Sequence, residues 1–170
     1  IAYGADPDVA TVKPLARNRG GRGGRGGVGG GAALADPSGL APVPNGGPGV
    51  WPIHAASGVG YGEGYAGNSH RHTPNGWLPT VKYLVEEMGA DVDARDHNGY
   101  SPVHHAAARG DNELILYLVE RGADVTVVSR RGQTTVDMAN GPQQRIRPFP
   151  ETIALLERLG AKNNHNCQSC

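Results

Sequence analysis

One tetrapeptide returns at a fixed distance, and that recurrence limits the fold more than any other feature of the chain. Gly89-Ala90-Asp91-Val92 comes back as Gly122-Ala123-Asp124-Val125, 33 residues later. Asn98-Gly99 and Arg131-Gly132, Val103 and Val136, and Ala106 and Ala139 keep the same spacing. Upstream, Trp51-Pro52-Ile53-His54 with Ala56 and Gly60 matches Ser101-Pro102-Val103-His104 with Ala106 and Gly110. A unit of about thirty residues has too little core to stand alone, so a period of this length predicts similar units stacked side by side.

The stretch 95–127 is the one copy without an insertion, and its residues spell out a turn followed by two antiparallel helices. His97-Asn98-Gly99 is the turn signal. Pro102 suits a first helical turn, where its missing N–H costs nothing, and Ser101 before it is a capping residue. Ala106 and Ala107 are small enough to let neighbouring inner helices approach closely. Gly110 ends the first helix and permits the reversal. Leu114, Ile115, Leu118 and Val119 then follow the rhythm of a buried helical face, as do Val81, Leu84, Val85 and Met88 one unit earlier. Gly122 allows a left-handed exit into the next turn.

Against this frame the other units carry additions. Of the 170 residues, 27 are Gly and 13 are Pro, most of them before residue 80, so about two thirds of the chain is suited to packing. Residues 9–46 interrupt the turn between units and include the run Arg19-Gly20-Gly21-Arg22-Gly23-Gly24-Arg25-Gly26-Gly27. With almost nothing to bury, this segment is expected to be flexible. Residues 61–77 form a second insertion, between the two helices of one unit, and Leu78-Pro79 restarts the chain as a helix. The last unit replaces Ser-Pro-Val-His-His-Ala with Thr134-Thr135-Val136-Asp137-Met138-Ala139, a less ideal inner helix that suits a terminal, capping copy. Phe149 is expected to pack over the open end of the stack.

Period and wording together resemble the ankyrin repeat: Thr-Pro-Leu-His-x-Ala-Ala, then Gly, an apolar helix and Gly-Ala-Asp-Val. The resemblance covers about 115 residues and extends to bacterial-type ankyrin proteins, some of whose tails also resemble this one. It implies an all-α solenoid in which residues 1–8 are the end of a truncated first repeat and 9–46 an insertion. Residues 47–94 are then a repeat with a loop insertion at 61–77, 95–127 an intact repeat, 128–162 the capping repeat and 163–170 a tail. Because Gly4-Ala5-Asp6 reads as the end of a unit, the chain is expected to be a C-terminal fragment.

The resemblance further implies a scaffold that binds a partner protein through its turn tips and the exposed side of the inner helices, without catalysis or cofactor. Carried over by position, the candidate partner contacts are His97, Asn98, Tyr100, Ala108 and Arg109, followed by Arg130, Arg131 and Gln133. The Tyr and Arg positions are residue types enriched in binding hot spots. The arginines form a basic rim that predicts a partner with an acidic surface. In the ankyrin unit the motif His bonds backbone in the turn, which gives His54 and His104 structural roles. His105, apolar in the family pattern, is expected to be packed and bonded.

Two rival classes remain at this stage. The Arg-Gly-Gly run in residues 17–27 resembles segments that bind RNA without sequence preference, although only three triplets occur and no aromatics interleave them. His165, Cys167 and Cys170 place the only two cysteines at C-x-x-C spacing. That is a disulfide loop, a metal half-site with at most three of four ligands, or a redox handle. His70-Arg71-His72 lacks further ligands at a set spacing and reads as a polar loop. The formal net charge is zero, so bulk charge favours neither a nucleic acid nor a membrane, and no apolar run approaches a membrane span.

Overall fold

The helices are short, from five to ten residues, which is below the length at which an isolated helix is stable in water. Their stability therefore comes from stacking. A computed structural model describes residues 6, 8–14, 36–59, 77–141 and 147–167. They form six helices: α1 Pro52–Ser57, α2 Trp77–Glu86, α3 Pro102–Arg109, α4 Asn112–Glu120, α5 Thr135–Ala139 and α6 Pro150–Arg158. Among the described residues extended backbone pairs only at isolated bridges, Val12 with Pro48 and Val128 with Thr134.

The inner helices α1, α3 and α5 lie side by side, and α2, α4 and α6 pack behind them as an outer row. The core runs along the seam between the rows: Val81, Val103, Ala106, Ala107, Leu114, Ile115, Leu118, Val136, Met138, Ala139 and Leu156 are all fully buried. Pro102 opens α3 and Gly110 closes it at φ 72°. The Gly-Ala pairs close the outer helices. Gly122 and Gly160 take φ 97° and 101°, so that Ala123 N–H reaches Leu118 O and Ala161 N–H reaches Leu156 O, each at 3.0 Å. After α2 the additional residue ahead of Gly89 is absorbed by a wider closure, Ala90 N–H to Leu84 O at 2.9 Å.

Three expectations need correction. First, α1 ends at Gly58 rather than Gly60, which lies outside the described residues; Val59 N–H bonds His54 O there, the closure that Asp111 N–H and Ala106 O make after α3. A Cβ on Gly58 would stand 2.7 Å from Cδ and Cζ of Arg109, so the arginine side chain packs on the bare glycine at the end of α1. Second, α2 starts at Trp77, one residue inside the expected insertion. Third, Phe149 does not cover the end of the stack. It lies on Gly110, whose Cβ would meet the ring at 2.6 Å, and it borders a pocket of about 310 Å³ lined by Asn112, Pro150, Glu151 and Thr152.

Candidate protein-interaction surface

The turns ahead of α3 and α5 are built on one short template. In the intact unit the Asp96 carboxylate accepts from Asn98 N–H at 2.8 Å and Tyr100 N–H at 2.9 Å, and Gly99 N–H bonds Asp96 O at 2.9 Å. The next turn repeats this with Ser129: its Oγ accepts from Gln133 N–H at 3.1 Å, and Gly132 N–H bonds Ser129 O at 2.9 Å. Gly99 and Gly132 sit at φ 80° and 76°, where a side chain would be strained. The turns are then tied to one another through the main chain. His97 N–H bonds Gly49 O at 2.8 Å, and Arg130 N–H bonds Asn98 O at 3.0 Å. Arg95 spans two turns, donating to Gly99 O at 2.7 Å and to Val128 O.

Beneath the turns lies a row of buried struts. His54 accepts Trp51 N–H on Nδ1 at 3.2 Å and meets Ala94 O with Nε2 at 2.9 Å. His104 repeats the arrangement with Ser101 N–H at 3.1 Å and Gln133 O at 3.2 Å. Both rings are fully buried. Burial, the largest cause, together with neighbouring positive groups pushes His54 down to about 4 and His104 down to about 3, so both are neutral at physiological pH. His105 is also fully buried, 3.3 Å from the Asp96 carboxylate and edge-on to His54 and Tyr100. Burial by itself would raise Asp96; its contact with His105 and the Tyr100 N–H outweigh that and hold the carboxyl low.

In the last unit Asp137 takes the histidine position. Its Oδ2 accepts Thr134 N–H at 2.9 Å, which keeps the cap. Its Oδ1 faces outward as an acceptor, and the tail answers with the N–H groups of Asn164 and Asn166 at 3.1 and 3.2 Å. Asn166 also donates from its side chain to Arg131 O at 2.8 Å and accepts from Gln133 Nε2 at 3.3 Å. Tyr100, Gln133 and Asn166 are successive members of the 33-residue register: the Tyr100 hydroxyl donates to Gln133 Oε1 at 2.5 Å, and Gln133 donates on to Asn166. The tail therefore fills the place of a further turn.

The eight candidate contacts separate into two groups. His97, Asn98 and Arg130 are partly exposed on the turn tips, and Arg131 is exposed. Tyr100, Ala108, Arg109 and Gln133 are not available on the surface, with exposures of 1%, 0%, 7% and 6%. Ala108 and Arg109 belong to α3, which lies between α1 and α5 with α4 behind it and has all eight of its residues buried. Arg109 is clamped over the Trp77 ring at 4.2 Å and paired with Asp111 at 3.0 Å. Tyr100 and Gln133 are linked to each other beneath the tips.

Both ends of the segment expected to be flexible hold defined positions. Thr11 N–H bonds Val50 O and Lys13 N–H bonds Gly47 O, both at 2.8 Å, and the Lys13 ammonium donates to Val43 O at 2.6 Å. Residues 36–41 lie across the tips and are gripped by Arg130, which pairs with Asp36 and donates to Leu40 O at 3.2 Å and Ala41 O at 2.6 Å. These contacts link positions some 90 residues apart, with no local sequence signal. The Arg-Gly-Gly run, His70 and His72 lie outside the described residues. Of the three possibilities for the tail, the structure has the disulfide: Cys167 is disulfide-bonded, and the chain's only other cysteine is Cys170, itself outside the described residues. His165 is exposed, and among the described residues no three His, Cys, Asp or Glu groups gather as a metal site.

Two rows of short helices with a ridge of linked turns and a closely packed seam define a helical-repeat solenoid, the class of protein that presents an extended surface. The comparisons agree on its kind. Residues 69–119 match the family described as ankyrin repeats (many copies). An ankyrin repeat-containing protein of Schizosaccharomyces pombe is 36% identical over 70 residues, covering 36% of this chain and 33% of that protein. Protein phosphatase 1 regulatory subunit 12A of Rattus norvegicus is 30% identical over 95 residues, covering 56% and 8%. The ankyrin repeat and SAM domain-containing protein 6 of Mus musculus is 38% identical over 64 residues, covering 37% and 7%. The chain carries ankyrin repeats, which generally mediate protein–protein interaction. It spans a third or less of the length of these relatives. No described helix is long and apolar enough to cross a membrane.

Proposed function

We propose that this chain is a non-catalytic docking module that binds a partner protein along its ridge of turn tips, through His97, Asn98, Arg130 and Arg131. The observation that carries this reading is the division of the predicted contacts. The four tip residues are at least partly exposed on turns locked together by main-chain hydrogen bonds, while Tyr100, Ala108, Arg109 and Gln133 are consumed by packing. A rigid ridge loses little conformational freedom on binding, which favours affinity. Arg131 stands exposed beside Arg130, whose guanidinium takes the Asp36 carboxylate, so the ridge suits an acidic partner surface. The reading is supported by two relatives, one named as a regulatory subunit and one in which ankyrin repeats accompany a SAM domain.

Photo-crosslinking tests it. A photoreactive residue at Arg131 should capture a partner protein that the same group at Leu116, exposed on the outer helix α4, does not. Arg130→Glu in that chain should weaken the capture. Capture from Leu116 with none from Arg131 would place binding on the opposite face and contradict the reading.

A further inference from the structure

We infer that residues 36–41 act as an internal ligand for the turn ridge, which an acidic, turn-forming segment of the partner displaces; this rests on the ridge being the binding surface. The geometry is that of a peptide complex formed within one chain. The Arg130 guanidinium takes a carboxylate, that of Asp36, and two consecutive main-chain carbonyls, those of Leu40 and Ala41. The segment turns at Pro37–Ser38, with Gly39 at φ 67°, so those acceptors are what an acidic peptide with the same turn would offer. Apolar contacts complete the fit on the two bare turn glycines. A Cβ on Gly99 would come within 3.3 Å of Leu40 Cδ1, and one on Gly132 within 3.5 Å of Pro37 Cγ. The segment is shaped before it docks, because Asp36 accepts from both the Ser38 N–H at 2.9 Å and the Ser38 hydroxyl at 2.5 Å.

Three features make this contact exchangeable rather than structural. No residue of 36–41 belongs to the buried core, so its release exposes none of the helical seam. The Arg130 and Asp36 side chains keep 19% and 36% of their surface exposed, and such partly solvated pairs are weak and sensitive to salt. The segment stays in place through its tether, which gives it a high effective concentration, so an untethered ligand must match its chemistry and exceed that concentration. Arg131, next to Arg130, has none of these contacts with the segment and remains exposed to select the incoming partner.

The probe is a fluorescent synthetic peptide with the sequence of residues 34–43, followed by anisotropy. The full chain with residues 36–41 replaced by Gly and Ser should bind it at about millimolar concentration or below, the range of tethered effective concentrations. The intact chain should bind it at least about tenfold more weakly, Asp36→Ala in the otherwise intact chain should recover binding, and Arg130→Ala in the replaced chain should abolish it. Unchanged circular dichroism shows that each variant has kept its helices. Equal binding by the intact and replaced chains, or no binding by a folded replaced chain, overturns the inference. The ridge reading is judged separately, by crosslinking at Arg131. A partner captured there equally by the intact and replaced chains would leave the ridge in place and remove the internal ligand.

Discussion

Asn166 donates its backbone N–H to the Asp137 carboxylate at 3.2 Å, and Asn164 donates to the same oxygen at 3.1 Å. Asp137 stands where His54 and His104 stand in earlier repeats. A histidine there would point a ring nitrogen donor at the next turn's carbonyl; the carboxylate points an acceptor at the tail's N–H groups. The exchange of residue type follows from what lies beyond.

Replacing that carboxylate should therefore release the tail. Asp137→Asn keeps one oxygen for three N–H groups and is expected to cost about 1–3 kcal/mol in urea unfolding, the usual cost of an unsatisfied buried group. Asp137→His should retain the cap on Thr134 but free the tail, raising amide exchange at Asn164 and Asn166 by about tenfold or more while the α3 amides stay protected. Unchanged exchange at both asparagines in both variants would refute the role.

The buried histidines make the fold acid-sensitive well above the range in which carboxylates titrate. His54 and His104 titrate at about 4 and about 3 in the fold, against 6.5 for an ordinary histidine. Between those limits the unfolded chain binds more protons than the folded one, so stability falls as pH falls. The slope is about 1.4 kcal/mol per pH unit for each histidine, nearing about 2.7 for the pair. The slope is about half-maximal at pH 6.5 and fades out about one pH unit higher. Urea midpoints at pH 7.5, 6 and 5 measure this, and His104→Asn should remove about half of the slope.

Arg109 is a packing residue, and its loss should appear in stability. Arg109→Ala removes the contact with Trp77 and the ion pair with Asp111, with an expected loss of about 2–4 kcal/mol in thermal or urea unfolding. Gly58→Ala should produce a similar loss by a different route, through strain at φ 98° and displacement of the arginine. If the two act through one contact, the double variant will lose much less than the sum of the single losses. Additive losses would separate them.

The repeat architecture was legible in the sequence because its determinants are local and periodic. Pro102, Gly110 and Gly122 set helix ends wherever they fall, and Leu114, Ile115 and Leu118 show their burial by spacing. The exposed side of the inner helices was not legible. Family position assigned Ala108 and Arg109 to the surface, but burial of α3 depends on what stands on both of its sides, including the Trp77 ring. The grip of Arg130 on Asp36, Leu40 and Ala41 joins two segments with no shared pattern, so composition registered only a flexible linker. One tail residue did carry a signal: Asn166 lies 33 residues after Gln133, in the same register as Tyr100.

That register has an energetic consequence at Tyr100. The bond from its hydroxyl to Gln133 couples the two turns, and both side chains are buried. Tyr100→Phe and Gln133→Ala should each destabilise the chain by about 1–2 kcal/mol, with a coupling energy of at least about 0.5 kcal/mol in the double-mutant cycle. Zero coupling would mean that the turns are tied only through the main chain.

Amide hydrogen exchange resolved by residue, on the intact chain, tests the continuous ridge most directly. Thr11, Lys13, Gly49, His97, Arg130, Asn164 and Asn166 each donate their N–H across a gap between segments, from residues 11–13 at one end to the tail at the other. All seven should be protected, His97 and Arg130 nearly as strongly as the α3 and α4 amides. Exchange of His97 and Arg130 at free-peptide rates, with the helices still protected, would contradict a ridge locked into one surface.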